Sequence, residues 1–438
     1  MSGQVQRTTK DRVAILEIDN PPVNALSQET RRALADALMR AESDPDIAAI
    51  AIIARGNTFV TGSDITEFNH KQREPHLPDL VDRIEASAKP VVVGWHGLAL
   101  GAGCEIGLAA HRRVLARDGR VGLPEVKLGL VPGGGGTQRL PRLIGLPAAL
   151  DLIATGRMVN ALEAFAIGLC DEVTDGDIRE ATIAAARKLI GKMQARLSVR
   201  APPLPDSGAW EAMVQRVRKE ARGRIAPLRA IELVGLTLTS PYAIGAPAER
   251  RAFFDLMASA QSRALRHVFF AERAIRKVPG LAHVAPRPLQ TIGIVGSGVT
   301  GTGIAASLLE HGCRVVLVET GEAALQTGRE RLAALMARAI RAGRIPDARR
   351  AEIASHVTFS GDPADLARCD LVIEAIFDDL AIKSDLLKKL ETILGKDTLI
   401  ASSSAQIDLQ ILADTLRHPE RFFGLHFFAP APLMRLVE

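Results

Sequence analysis

Hydrophobic and polar positions change rhythm several times along this chain, and each change marks an element. Residues 13–18 read as a strand, and Asn20-Pro21-Pro22 ends it. Residues 27–39 recur with helical spacing behind Ser27 and place Leu34 and Leu38 on one face. Residues 48–54 form a short apolar strand, and residues 70–78 are polar and proline-marked, a mobile surface loop. Residues 91–110 are apolar at almost every position. They divide into a buried strand (91–94), a tight turn (101–103) and a helix from about 102 to 112. Helices follow at 146–155, 161–168 and 181–195.

After a proline-rich break at 201–205, residues 209–271 are largely helical, interrupted at 240–249, and 264–277 form an amphipathic helix. Residues 278–288, with three prolines, read as a linker. From 289 the pattern becomes strand, glycine turn, helix, strand (314–319), long helix and strand (370–376). That alternation predicts a parallel doubly wound sheet. The expected organisation is therefore 1–190, 191–288 and 289–438.

The apolar run 91–110 has the length of a membrane span, but His96, Glu105 and several glycines argue against one, because a charge near the bilayer centre is costly. Aromatic residues make up only 4%, too few for base-stacking platforms, so no nucleic-acid partner is expected. A net charge of +5 suits an anionic small ligand as well as a polyanion and decides nothing. The four cysteines are far apart with no CxxC pair, which indicates reduced thiols and a cytoplasmic location. Neither an apolar leader at the start nor a peroxisomal tail in the last residues is evident. No metal site is expected.

Two carboxylates stand out because their surroundings are apolar and glycine-rich. Glu105 follows Gly-Ala-Gly-Cys at a helix start, where free N–H groups attract negative charge, and Glu125 follows Leu-Pro. Singly, each reads equally as an ordinary acid: Glu105 as one favoured by the helix dipole, Glu125 as a turn carboxylate. Gly133 to Gly136 read either as a phosphate cradle or as a close-packing turn.

Taken together, FVTGSDITEF, HGLALGAGCEIGLAAH and VGLPEVKLGLVPGGGGTQRLPRLIG resemble the crotonase (enoyl-CoA hydratase/isomerase) superfamily over about 10–190. The resemblance implies a ββα spiral core with a helical extension and an enoyl-CoA thioester substrate. By it, Glu105 and Glu125 grip the water that adds across the double bond, and the N–H groups of Ser63 and Ala102 form the oxyanion hole. Alanine is more usual at 63 and glycine at 102, but both positions contribute backbone. Glu125 also fits the branch that shifts a 3-enoyl bond to the 2-position.

Gly296, Gly298 and Gly301 spell GxGxxG between a predicted strand and helix, and Glu319 ends the next strand, where it suits the ribose of NAD. Residues 370–383 and 424–438 then resemble 3-hydroxyacyl-CoA dehydrogenases. By that resemblance Asp378 and Lys383 lie near the nicotinamide ribose, His426 is the general base and Glu438 orients its imidazole. Ala405 stands where the family has serine, and Ala429 where it has asparagine. The helical domain that closes the family's cleft does not follow, so the chain is expected to be either a fragment or a shortened relative. The expectation is a β-oxidation enzyme, monomer or small homo-oligomer, with an active hydratase and a weak, truncated NAD-binding dehydrogenase domain of the Rossmann type. The alternative is a retired acyl-CoA- or NAD-binding scaffold or sensor.

Overall fold

The computed structural model describes residues 4–70, 73–192, 195–204, 208–275, 278, 280–281 and 283–438. The chain divides into two compact units, Met1–Ala282 and His283–Glu438. Residues of the expected proline break (205), amphipathic helix (276–277) and linker (279, 282) lie outside the described set.

The strands of the first unit are, in chain order, β1 Gln4–Lys10, β2 Val13–Asp19, β3 Ala49–Ala54, β4 Val91–Trp95, β5 Leu98–Leu100, β6 Arg112–Ala116, β7 Arg120–Gly122, β8 Met158–Asn160 and β9 Glu172–Thr174. One sheet runs β1-β2-β3-β4-β6-β9, parallel except for the β1–β2 hairpin, and a small second sheet runs β5-β7-β8. The chain thus passes from the large sheet to the small one and back, the turn-by-turn spiral expected of a crotonase core. Strands β3 and β4 are buried along their whole length, which explains their lack of polar alternation.

The helices are α1 Gln28–Ser43, α2 Leu77–Ala86, α3 Ala102–Ala109, α4 Gly136–Ile144, α5 Leu146–Thr155, α6 Ala161–Ala166, α7 Ile178–Lys188, α8 Ala209–Ala221, α9 Ile225–Thr239, α10 Tyr242–Ala258 and α11 Ala260–Ala274. Ser27 caps α1 by accepting the Thr30 N–H. Helix α3 ends at Ala109, short of the expected residue 112, because Ala110 turns to extended backbone and Arg112 opens β6. The interruption expected at 240–249 shrinks to Ser240-Pro241: α10 starts at Tyr242 and carries Pro247 inside it. Helices α8 to α10 bury Val217, Ala226, Ala230, Val234 and Leu256 in the same core as β3 and β4, so most of segment 191–288 is part of the first unit.

The second unit is a six-stranded, wholly parallel sheet. Its strands are β10 Thr291–Val295, β11 Arg314–Val318, β12 Val357–Ser360, β13 Leu371–Glu374, β14 Leu399–Ser402 and β15 Phe422–Gly424, in the order β12-β11-β10-β13-β14-β15. The order reverses between β10 and β13, the switch point where doubly wound folds bind nucleotides. Helix α12 (Val299–Glu310) leaves β10 through the glycine turn, and α13 (Glu322–Arg341) follows β11.

Candidate active sites

In the first unit Gly101 fixes the geometry. Its φ of +53° is a conformation that side chains resist, and a Cβ there would lie 2.8 Å from Glu125 Oε1 and 3.5 Å from the Gly62 Cα. Three segments therefore meet at one point: the loop before Ser63, the turn before Ala102, and the 3-10 turn Pro124–Leu128 that carries Glu125. The loop is held there by Leu100 N–H donating to Val60 O at 2.9 Å and by Leu26 N–H donating to Gly62 O at 2.8 Å. Ala102 is the first residue of α3, so its N–H has no acceptor within the helix. The Ser63 N–H stands beside that turn. Among the described residues neither N–H is taken by a partner.

Glu105, one turn further along α3, is 2% exposed. Its Oε1 accepts N–H groups from Gly134 (2.7 Å) and Gly136 (3.0 Å). Burial pushes its carboxyl above the ordinary range, opposed by those two amides and the Arg139 guanidinium. Glu125 is pushed well above its ordinary value by burial first, then by the negative charges of Glu105 and Glu249. Its Oε2 is buried without a hydrogen-bond partner. A carboxylate oxygen left in that state is expensive unless a proton or a ligand joins it. The arrangement can hold a proton on one carboxyl while the other accepts one, beside two free main-chain donors.

The glycine loop Gly133–Gly136 is an anion cradle, but the anions are the chain's own side chains. While Gly134 and Gly136 serve Glu105, Gly135 N–H donates to Glu249 Oε1, and Thr137 donates its N–H to Glu249 Oε2 at 2.7 Å. Glu249, on α10, is 1% exposed and pushed up to about 8 by burial and by the charge of Glu105. Sequence reasoning missed it because Pro247 and Gly245 disguised that stretch as an interruption. An acid among alanines on a helix was the available signal.

In the second unit Gly296 (φ +106°) and Gly298 form the turn between β10 and α12, and Gly301 lies in the first turn of that helix. A Cβ on Gly301 would meet Gly296 O at 1.9 Å, so helix and turn approach as only glycine permits. Around the Cβ position of Gly298 there is open space, at the helix N-terminus where a pyrophosphate would sit. Glu319 accepts the Ser297 N–H at 3.0 Å and the Thr320 N–H at 3.1 Å, which fastens the acid beside that turn. These residues fit a dinucleotide.

Lys383 and Asp378 are close, with Nζ 3.2 Å from the carboxylate, but Lys383 is 1% exposed and also paired with fully buried Glu374. Glu374 accepts the Ser402 hydroxyl at 2.7 Å and the Ile376 N–H at 2.9 Å. It, too, was missed: at the end of β13 its sequence context is that of any strand-terminal acid. Burial raises the Asp378 carboxyl, but hydrogen bonds from Ser404 and Lys383, the Lys383 charge and the Ala405 N–H outweigh this and leave it below its usual range. His426 Nδ1 lies 3.0 Å from Glu438 Oε2, and the two residues exchange main-chain hydrogen bonds at 2.8 and 3.0 Å. Ala405 and Ala429 are both exposed.

Among the described residues no group of His, Cys, Asp and Glu is arranged to hold a metal ion, and no helix is long and apolar enough to cross a membrane.

Comparison with known proteins agrees with this division. Residues 8–201 match the family model "Enoyl-CoA hydratase/isomerase", and residues 291–438 match "3-hydroxyacyl-CoA dehydrogenase, NAD binding domain". The chain is 40% identical to the "Peroxisomal bifunctional enzyme" of Danio rerio over 98% of its length and 60% of the relative's. It is 34% identical to the protein of that name from Cavia porcellus (97% and 60%). To the "Peroxisomal fatty acid beta-oxidation multifunctional protein AIM1" of Arabidopsis thaliana it is 33% identical (100% and 63%). The chain thus spans about 60% of the length of the curated relatives it matches.

The expected cytoplasmic location is corrected by these names, which are peroxisomal, and glyoxysomal in a Brassica napus relative. Its premise, unpaired cysteines, holds among the described residues, but thiol state reports redox conditions, whereas an organelle address is read by a receptor from a short signal. On these matches the chain is a fusion of an enoyl-CoA hydratase/isomerase-family domain with the NAD-binding domain of the 3-hydroxyacyl-CoA dehydrogenase family.

Proposed function

We propose that the first unit adds water to 2-trans-enoyl-CoA thioesters in fatty-acid β-oxidation, giving 3-hydroxyacyl-CoA. The observation that carries the reading is the meeting at Gly101, where Glu125, the Ala102 turn and the Ser63 loop abut, with Glu105 one helical turn away. The thioester oxygen accepts the N–H groups of Ser63 and Ala102, so that charge collecting there in the transition state is held by fixed donors at a helix N-terminus. Glu105 and Glu125 hold one water between them. One carboxylate takes its proton as the oxygen bonds to C3, and the other carboxyl gives a proton to C2. Raised proton affinities suit this exchange, because burial helps one carboxyl keep the proton that it gives to carbon. The same pair supports movement of a 3-enoyl double bond to the 2-position as a side activity.

For the second unit we propose oxidation of the 3-hydroxyl. NAD, when bound on the Gly296–Gly301 turn with Glu319 at its ribose, supplies the hydride acceptor. His426 Nε2 removes the hydroxyl proton, and Glu438 on Nδ1 fixes the ring's orientation and tautomer. Ala405 and Ala429 offer no side-chain donor to the substrate carbonyl. A missing donor of that kind costs about 10²–10³-fold in turnover, so this step is slow in the chain as it stands.

The test is direct. The chain is mixed with a series of enoyl-CoA thioesters of increasing length and the enoyl absorbance followed, then NADH formation is followed from 3-hydroxyacyl-CoA. Rapid loss of the first signal and slow rise of the second are expected. No loss of enoyl absorbance at any length would leave a binding scaffold and refute the hydratase.

A further inference from the structure

One face of α10 lies along the glycine loop like a splint. Residues four apart on a helix share a face, and Gly245, Glu249 and Phe253 are such a series. A Cβ on Gly245 would meet Gln138 Oε1 at 1.9 Å, Glu249 binds Gly135 and Thr137, and the Phe253 ring lies 2.9 Å from where a Cβ on Gly133 would be. Helix and loop thus run past each other in opposite directions, in contact at every turn. Along the loop the main-chain donors alternate: 134 and 136 face Glu105, 135 and 137 face Glu249. The Thr137 hydroxyl also donates to Glu249 and accepts from Gln138 Nε2 at 3.0 Å, so its proton is committed to this contact.

Resting on the hydratase reading above, we infer that Glu249 is a positioning residue for that reaction: by gathering the odd-numbered donors on one side of the loop, it turns the even-numbered ones toward Glu105 and fixes that carboxyl against its water. The enoyl-CoA hydratase/isomerase match ends at residue 201, so this residue comes from beyond the matched segment. The groups that face Glu249 are Glu105 on α3, Glu125 on the 3-10 turn, Tyr242 on its own helix, and the Arg139 guanidinium of α4 beside Gly135.

Glu249→Gln tests the inference. It keeps the shape but removes the ionisable carboxyl and turns an amide N–H toward a main-chain donor. Hydration kcat should fall about 10–100-fold, the size of loss that a small misplacement of a reacting group causes, with KM altered less than about threefold. Glu249 takes on its charge as pH rises through about 8, so its loss should move the part of the Glu125 limb of the pH–rate profile above that pH to lower pH, a shift that a purely structural role would not produce. Glu249→Asp, which keeps the charge, should leave that limb in place and recover part of kcat, and it carries the test if the Gln variant does not fold. Wild-type kcat and pH profile in the Gln variant would overturn the inference while leaving the hydratase reading intact. So would a fall in kcat with a lowered melting temperature and an unmoved limb. A wild-type chain that leaves enoyl absorbance unchanged would instead remove the hydratase reading on which the inference stands.

Discussion

The two centres solve the placement of charge in opposite ways. In the first unit three carboxylates are buried together, two of them held by main-chain amides, and the positive charge acting on Glu105 is Arg139, itself paired with Glu85 at 2.8 Å. In the second the His426–Glu438 pair stands near the surface, its side chains 25% and 60% exposed. What is buried there is the Lys383–Glu374 pair beneath the nucleotide turn. Burial makes proton affinity the working property of the first centre, whereas at the second, solvent screening leaves geometry and bound groups to do most of the work.

This contrast can be broken experimentally, and the first centre should break hardest. Glu105→Gln or Glu125→Gln should each lower hydration by about 10²–10⁴-fold, the usual contribution of a positioned acid or base, measured as initial rates with a short enoyl-CoA. In the second centre the large effect should be a gain: Ala405→Ser with Ala429→Asn should raise NADH formation by about 10²–10³-fold. Robust turnover without those changes would show that the alanines do not limit the step. Gly101→Ala, with its Cβ forced against Glu125 at positive φ, should destabilise the first unit by about 1–3 kcal/mol in denaturant titrations and lower hydration with it. Glu438→Gln should cost the dehydrogenase only a few fold, since an exposed pair contributes about 0–1 kcal/mol.

A further effect is on stability against pH. Glu249 titrates near 8 in the folded chain and near its ordinary value of 4.5 when unfolded, so between these the folded state binds the extra proton. Stability of the first unit should therefore fall as pH rises from 4.5 to 8, and Glu249→Gln should flatten that slope in chemical denaturation.

Much of this was legible in the sequence where local signals decide. Ser27 announced the start of α1, and GxGxxG between strand and helix, with Glu319 one strand later, announced the nucleotide turn. Glu105 and Glu125 were visible because apolar neighbours make an acid conspicuous. The misses share a cause: they depend on partners distant in sequence. Glu249 finds its donors more than 100 residues away, and Glu374 gains its meaning only from Lys383 and Ser402. The same non-locality hid the end of α3: only Ala110 and His111 separate Ala109 from β6, whose first residues pair with β4. The roles of the glycines at 134 and 136 were hidden likewise, since a loop without side chains does not disclose which way its N–H groups point.

In the proposed hydratase the thioester is polarised by main-chain donors and hydrated by the glutamates, two separable tasks at one point. The most direct measurement is the difference spectrum of a short enoyl-CoA mixed with the Glu125→Gln variant. The expected result is a persistent enoyl band, displaced to longer wavelength by polarisation at the Ser63 and Ala102 N–H groups. A band that decays at the wild-type rate, or persists at its free-solution wavelength with the ligand fully bound, would contradict it.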